Sequence, residues 1–454
     1  MVAPLVPVVG GLALAALALV WAPPEPARAG TISVDATRVQ SKDPTSITFT
    51  ARVRTSAGLK GATFEYKVLN PDGNIGGSGE AQFSPGNETD VTFMLETKTA
   101  TRYIPVGSDF VFNWSLTDSD GVSSRTTEET YRFLDGRYLW QTRTEGQITV
   151  FWYGNDDRHA MLAIGATKSA LDDVSALLRA TVPYPVKVVV WRSEAEGELA
   201  KRPRGRVFDA TVQTGGQRVS PDLLFVFTPN ADVIRHEAAH IVTHVAGDGP
   251  FSSIPSWLDE GTAVYAQSSP GGGYSSAVQF VIQTDQALRL RQIQSPVNSA
   301  DLVNVFYGQS WSTVKYMIDK YGRDKFAELF KVAREGARID DALKRVYGFD
   351  QDGLYNEWRQ ANGLRPQTFQ PEPVGTAVAV AEATRVPLGI PTPTKAGSAP
   401  GPSPAAPSGG EQVKTTQDGG GGGTAAVAVA VGGASVLVAI LLLGAGVFLL
   451  RKRT

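Results

Sequence analysis

The end of the chain sets the strongest limit on how it can fold. Residues 424–450 are 27 in a row without a charged side chain, and Arg451, Lys452 and Arg453 follow at once. A helix needs about 20 apolar residues to cross the hydrocarbon core of a bilayer, so this run is long enough. A helix apolar on every face belongs either deep in a large core or in a membrane, and the basic cluster directly behind it favours the membrane. Positive residues stay on the cytoplasmic side. The expectation is therefore one transmembrane helix over 424–450, a cytoplasmic tail over 451–454, and everything before Thr424 outside, with the lipid bilayer as a partner. A tail sorted to a cell wall would end in the same way, but no Leu-Pro-x-Thr-Gly stretch precedes this one.

The other end agrees. Val6 to Trp21 is an apolar run, and Ala27-Arg28-Ala29 puts small residues at the two positions that a signal peptidase reads. Residues 1–29 thus read as a signal peptide cut before Gly30. The stretch before the apolar run lacks Lys and Arg, which departs from the usual pattern, but Pro23, Pro24 and Pro26 would break a retained spanning helix. Residues 366–423 count 58, of which 10 are Pro and 11 Gly, with Phe369 the single aromatic. Such a segment has too little apolar surface to offset the entropy of ordering it, so it reads as a disordered stalk.

Residues 30–365 remain, enough for two domains. From Gly30 to Glu145 apolar residues recur with period two, as in Ile47, Phe49, Ala51, Val53 and again in Phe110, Phe112, Trp114, Leu116. Turn signals at Pro71-Asp72-Gly73, Pro85-Gly86-Asn87 and Asp118-Ser119-Asp120-Gly121 separate the runs. This predicts an all-β immunoglobulin-like sandwich over 30–145. After Gly146 the texture changes to α+β: strands at Ile148–Tyr153, Val186–Trp191 and Leu223–Phe227, an amphipathic helix at Ala160–Ala180, and mostly helices beyond Ser310, for example Ser312–Tyr321 and Asp324–Glu335.

The chain has no Cys, which excludes disulfide frameworks, thiolate metal sites and Cys nucleophiles. Its 43 Lys and Arg balance 45 Asp and Glu, so nothing predicts a nucleic-acid partner. It has only 4 His, and three of them fall in Asp232-Val-Ile-Arg-His236-Glu237-Ala-Ala-His240-Ile-Val-Thr-His244. Four residues apart on a helix is one turn up the same face, so His236 and His240 can offer two imidazoles to one metal ion. Asn230 is a fitting N-cap. Glu237, one step round, is placed to take a proton from an activated water without being a ligand. Pro255-Ser256-Trp257-Leu258-Asp259-Glu260-Gly261 then brings Glu260 on a second predicted helix, Leu258–Gln267. Two imidazoles and a carboxylate suit Zn²⁺ and leave a fourth position open, the catalytic arrangement.

These two segments resemble the gluzincin metallopeptidases, the clan of thermolysin and aminopeptidase N, and in particular the peptidase MA-like domains of bacterial exported proteins; the likeness covers roughly 146–365. It implies that His236, His240 and Glu260 are zinc ligands and Glu237 the general base. It further implies that Tyr307 stabilises the oxyanion, and that Leu223–Phe227 is the edge strand along which a peptide or protein substrate lies. The pattern departs from thermolysin four residues after Glu260, where Val264 replaces an Asp that orients a ligand His; Asp232 and Asp259 are two candidates for that role. The Gly-x-Met-Glu-Asn segment of the clan's aminopeptidases is missing, which favours an endopeptidase. His244 is expected to be packed or hydrogen-bonded, and His159 to lie at the surface. The whole then reads as a zinc-dependent peptidase anchored outside a bacterial cell membrane. The rival reading is a non-catalytic surface binding protein with a vestigial site, against which the intact Glu237 argues.

Overall fold

A computed structural model describes residues 31–202, 215–250, 253–297 and 299–370. The expected signal peptide, transmembrane helix and basic tail, and most of the expected stalk, fall outside these residues. Among the described residues no helix is long and apolar enough to cross a membrane.

The chain begins as a β-rich region of two antiparallel sheets. One has the order β1 (Ile32–Asp43), β2 (Ser46–Thr55), β5 (Glu88–Glu96); the other runs β4 (Ile75–Glu80), β3 (Leu59–Val68), β6 (Asp109–Asp118), β7 (Ser123–Arg125), with β8 (Glu129–Arg132) also pairing β6. The period-two residues face inward: Phe49 of β2 meets Phe64 of β3 at 4.4 Å and Phe112 of β6 at 5.0 Å between ring centroids. Phe64 in turn packs on Trp114 at 4.9 Å. At the predicted turn after β6, Gly121 takes φ +84°, and Asp118 Oδ1 accepts the N–H groups of Asp120 and Val122.

A five-stranded sheet follows, in the order β12 (Gly216–Ser220), β13 (Leu223–Val226), β11 (Val186–Val190), β10 (Ile148–Tyr153), β9 (Trp140–Glu145). The first of these in sequence, β9, had been assigned to the sandwich through Glu145. It instead pairs antiparallel with β10 across a tight turn at Gly146, so the sandwich ends before Trp140. Strands β10 and β11 run parallel, with helix α1 (Arg158–Leu178) as the crossover, and β13 is parallel to β11.

Both faces of this sheet's central strands β10, β11 and β13 are buried, and the alternation of side chains divides them. Ile148, Val150, Val188, Val190, Leu224 and Val226 join the core formed with the helices. Phe151, Tyr153, Val189, Trp191, Phe225 and Phe227 join the core of the β-sandwich. A charge network fixes the seam: Lys187 of β11 lies 3.1 Å from Asp109 of β6 and 3.0 Å from Asp222.

Beyond the sheet the chain is helical: α2 (Ala231–Gly247), α3 (Ser256–Tyr265), α4 (Gly272–Thr284), α5 (Val303–Tyr321), α6 (Arg323–Arg334), α7 (Ile339–Tyr347) and α8 (Gln351–Ala361). Helix α4 is not predicted by the sequence pattern, because the Ser-Ser-Pro-Gly-Gly-Gly stretch at 268–273, whose last two glycines open the helix, signals a turn. Helix α5 starts nine residues before the predicted Ser312. The folded part also continues past Arg365. Asn356 exchanges hydrogen bonds with the backbone of Gln367, and the Phe369 ring lies 4.0 Å from the Arg289 guanidinium carbon.

This two-faced sheet has a testable consequence. A fragment starting at Gly146 keeps the helices but uncovers the aromatic face centred on Trp191, and apolar area is worth roughly 25 cal/mol per Å². The fragment is expected to aggregate on size-exclusion chromatography and to bind a hydrophobic dye, whereas residues 31–370 stay dispersed. A dispersed fragment that binds no dye would contradict the packing described.

Candidate metal centre

Helix α2 begins at Asn230, whose extended backbone and side chain cap it: Oδ1 accepts the N–H of Asp232 at 2.8 Å and of Val233 at 3.3 Å. His236 and His240 stand one turn apart, with ring centroids separated by 5.1 Å. Helix α3 packs beside α2 and brings Glu260, whose Oε2 lies 3.4 Å from Nε2 of each histidine. One donor atom from each of the three residues lies within 4.8 Å of the other two. Donors about 2.0–2.2 Å from a tetrahedral ion stand roughly 3.3–3.6 Å apart, so both His–Glu separations suit a divalent cation.

The environment makes the same demand. His236, His240 and Glu260 are buried, and no hydrogen bond satisfies Nε2 of either histidine or Oε2 of the glutamate. A buried polar atom left this way costs about 1–3 kcal/mol. Three such atoms converging on one point fit a bound metal. Glycine sets the approach of the framework: a Cβ on Gly261, next to Glu260, would lie 2.4 Å from the carbonyl oxygen of Ser310, so α3 and α5 meet backbone to backbone.

The second layer settles the choice between two aspartates. Asp259 Oδ1 lies 2.7 Å from Nδ1 of His240 and also accepts the Thr243 hydroxyl. Asp232 instead accepts the N–H of Ser268 at 2.7 Å and its hydroxyl at 2.9 Å, tying the start of α2 to the chain after α3. Behind His236, Nδ1 faces Gln267 Nε2 at 3.4 Å. Val264 is a core residue.

Charge is distributed unevenly. Burial alone would lower His240, but the carboxylates of Asp259 and Glu260 outweigh it and raise the imidazole to about 10. Burial dominates at His236 and lowers it. Burial also works against ionised Asp259, yet the pairing with His240 holds its carboxyl well below the usual range. Glu237 is buried, and neither carboxylate oxygen has a hydrogen bond. Burial pushes it up to about 8, with Glu260 adding and with His240 and Arg218 opposing.

Glu237 lies against β12. A Cβ on Gly216 would sit 2.7 Å from its Cγ and 2.8 Å from Oε1. This corrects the expected edge strand: Leu223–Val226 is flanked by β11 and β12, and the edge on this side of the sheet, among the described residues, is Gly216–Ser220. An apolar run marks a strand buried on both faces, whereas an edge strand is more polar, as Gly-Gln-Arg-Val-Ser is.

Tyr307 lies on α5, buried, with its ring centroid 6.0 Å from that of His236 and stacked on Tyr274 of α4 at 5.4 Å. His244 joins none of this. Its Nδ1 lies 2.6 Å from Asp248 and its Nε2 2.9 Å from Asp72, in the turn between β3 and β4. His159 is half-buried near the start of α1. Gly216, Gln267 and Tyr274 escaped the sequence reading. Only Gly216 left a signal, since a glycine inside a strand often marks close approach of another group.

Residues 226–362 match the family model described as the Peptidase MA superfamily, which identifies the helical half as a gluzincin-like peptidase MA domain. No curated protein matches the chain. Among solved structures, it is similar to the M1 zinc metallopeptidase of Deinococcus radiodurans, at 12% identity over 76% of this chain and 96% of that one, with a TM-score of 0.38. Catalytically inactive OgpA of Akkermansia muciniphila, solved with an O-glycopeptide substrate, matches at 10% identity over 23% of this chain with a TM-score of 0.18, and the chain spans only 30% of it. The third fibronectin III domain of human KIAA0343 matches at 12% identity over 25% of this chain and 86% of that domain, with a TM-score of 0.16.

The two aspartates differ in what they should do to metal affinity. Replacing Asp259 with Ala is expected to weaken binding by about 10–100-fold, as loss of such supporting bonds does elsewhere. Asp232→Ala should retain the parental affinity. A Co²⁺ titration followed by absorption measures both, and equal losses would remove Asp259 from this role.

Proposed function

We propose that this chain, with its peptidase MA domain over residues 226–362, is a zinc-dependent peptidase held outside the cell membrane. The observation that carries this reading is the set of three buried, unsatisfied donor atoms on His236, His240 and Glu260, with the Glu237 carboxylate one residue along. These three residues would hold the ion. When bound, zinc polarises a scissile carbonyl and acidifies a water molecule.

The chain's own groups do the rest. Asp259 engages the Nδ1 side of His240 and so turns Nε2 toward the ligand cluster. Glu237 takes the proton of the attacking water and returns it to the leaving amine. Burial supports this role, because a carboxyl held up to about 8 exchanges a proton near neutral pH more readily than an ordinary one. Tyr307, near His236 and fixed by Tyr274, supports the oxyanion of the tetrahedral intermediate. The edge strand β12 offers backbone pairing to an extended peptide beside Glu237. A strand edge reads a peptide along its length, and no Gly-x-Met-Glu-Asn segment is present to hold a free amine, so cleavage is internal. The apolar run at 424–450 with its basic end, and the leader at 1–29, support a single-pass anchor with the folded part outside.

Glu237→Gln is the direct test. The variant should retain stoichiometric zinc and lose at least about 10²-fold in casein hydrolysis, the scale of general-base catalysis. Parental turnover in a zinc-loaded variant would remove Glu237 from the mechanism, and failure of the parental protein to load zinc would end the reading altogether.

A further inference from the structure

One buried cation, Arg218, stands beside the metal centre in the field of the Glu237 and Asp259 carboxylates. Arg218 lies on β12, two residues beyond Gly216, and is 6% exposed. Its Nε is buried without a hydrogen-bond partner. A buried guanidinium nitrogen without a hydrogen bond costs free energy that an acceptor in the cavity would recover. It borders a cavity of about 170 Å³, lined also by Ser253, Ser256, Gln294 and Ser295.

The other charged groups on the cavity wall are already engaged. Asp259 serves His240 and Thr243, and Asp248 accepts from His244 at 2.6 Å and from the Ile254 N–H at 3.0 Å. Ser256 is also the first residue of α3; its N–H is already given to the Gln294 carbonyl at 2.9 Å, so the hydroxyl is the group it offers the cavity. A cationic side chain and neutral side-chain donors around a small cavity form an anion site.

We propose that this cavity binds a carboxylate, with Arg218 as its ion-pair partner and Ser253, Ser256 and Gln294 as neutral donors. The carboxylate comes either from a peptide substrate or from a free small acid. Geometry connects the site to a substrate: Arg218 stands two residues, roughly 6–7 Å of strand, from the position that faces Glu237. A peptide paired along β12 would present the side chain opposite Arg218 on the same face of the sheet. An acidic residue about two positions from the cleaved bond would then reach the cavity. This substrate arm rests on the peptidase reading, whereas the binding of a free acid does not.

The test uses the zinc-loaded protein and thermal unfolding in sodium acetate, against sodium chloride at equal ionic strength. Acetate should raise the midpoint of the parental protein by roughly 2–4 °C, the linkage expected for a ligand of the folded state. Arg218→Met should show no rise. Arg218→Lys, which keeps the charge but loses the planar fork, should show a smaller one and decides the matter if the Met variant does not fold. No rise in the parental protein, or an equal rise in the variants, overturns the site. Peptides with Glu or Gln two residues from the cleaved bond then identify the source. A preference for Glu of about tenfold, carried by KM and lost in the variants, assigns the carboxylate to the substrate. No preference, with the acetate effect intact, assigns it to a free acid. If no peptide is cleaved, the peptidase reading fails and the acetate experiment still decides the cavity.

Discussion

The five-stranded sheet with two buried faces is the constraint on which the other features rest. Because side chains alternate along β10, β11 and β13, the same three strands supply Val150, Val188 and Leu224 to the helical core and Phe151, Val189 and Phe225 to the sandwich core. Neither domain can shift against the sheet without opening a packed layer. The sheet in turn places β12 at its edge and α2 directly after β13, so the strand with Gly216 and the helix with Glu237 meet at van der Waals distance.

On that frame the metal centre is a concentrated polar site inside an apolar shell. Ile234, Ile241, Val242 and Leu258 exclude water around His236, His240 and Glu260. The site has two tiers: an inner set of atoms without partners and an outer set, Asp259, Thr243 and Gln267, that holds the imidazoles from behind. Unsatisfied inner atoms beside satisfied outer ones are what a preorganised cation site requires before the cation arrives. Arg218 repeats that pattern on a smaller scale with the opposite sign.

Much of this was legible in the residues. Helix periodicity brings His236 over His240, and the turn chemistry and alternation of the first 110 or so residues beyond Gly30 suffice for a β-rich region. The family likeness pointed to Glu260 and Tyr307, and both lie beside the histidines. The misses have physical causes. Asp232 and Asp259 are both near His residues in sequence, and only the crossing of α2 and α3 decides which one touches an imidazole. The edge strand differs from the expected one because apolarity signals a central strand, and the strand that borders the site, though also buried, is the more polar one. Strand β9 was given to the wrong sheet because Trp140–Glu145 continues the β texture of what precedes it, and the partner that claims it comes later. Gln267 and Tyr274 act through contacts between elements far apart in sequence, which no local pattern encodes.

The order of the cores along the chain bears on how the protein is made. The sandwich is complete by about Phe133, before any strand of the five-stranded sheet begins, so the aromatic face of that sheet has its cover waiting when β10, β11 and β13 emerge. The opposite face has no such cover until α2 through α5 follow, apart from α1. A chain assembling from its N-terminus therefore passes through a stage with one finished seam and one bare apolar surface. The candidate ligands His236, His240 and Glu260 all reside in the part that follows the sheet, so that part is assembled on a platform that its N-terminal neighbour has already braced.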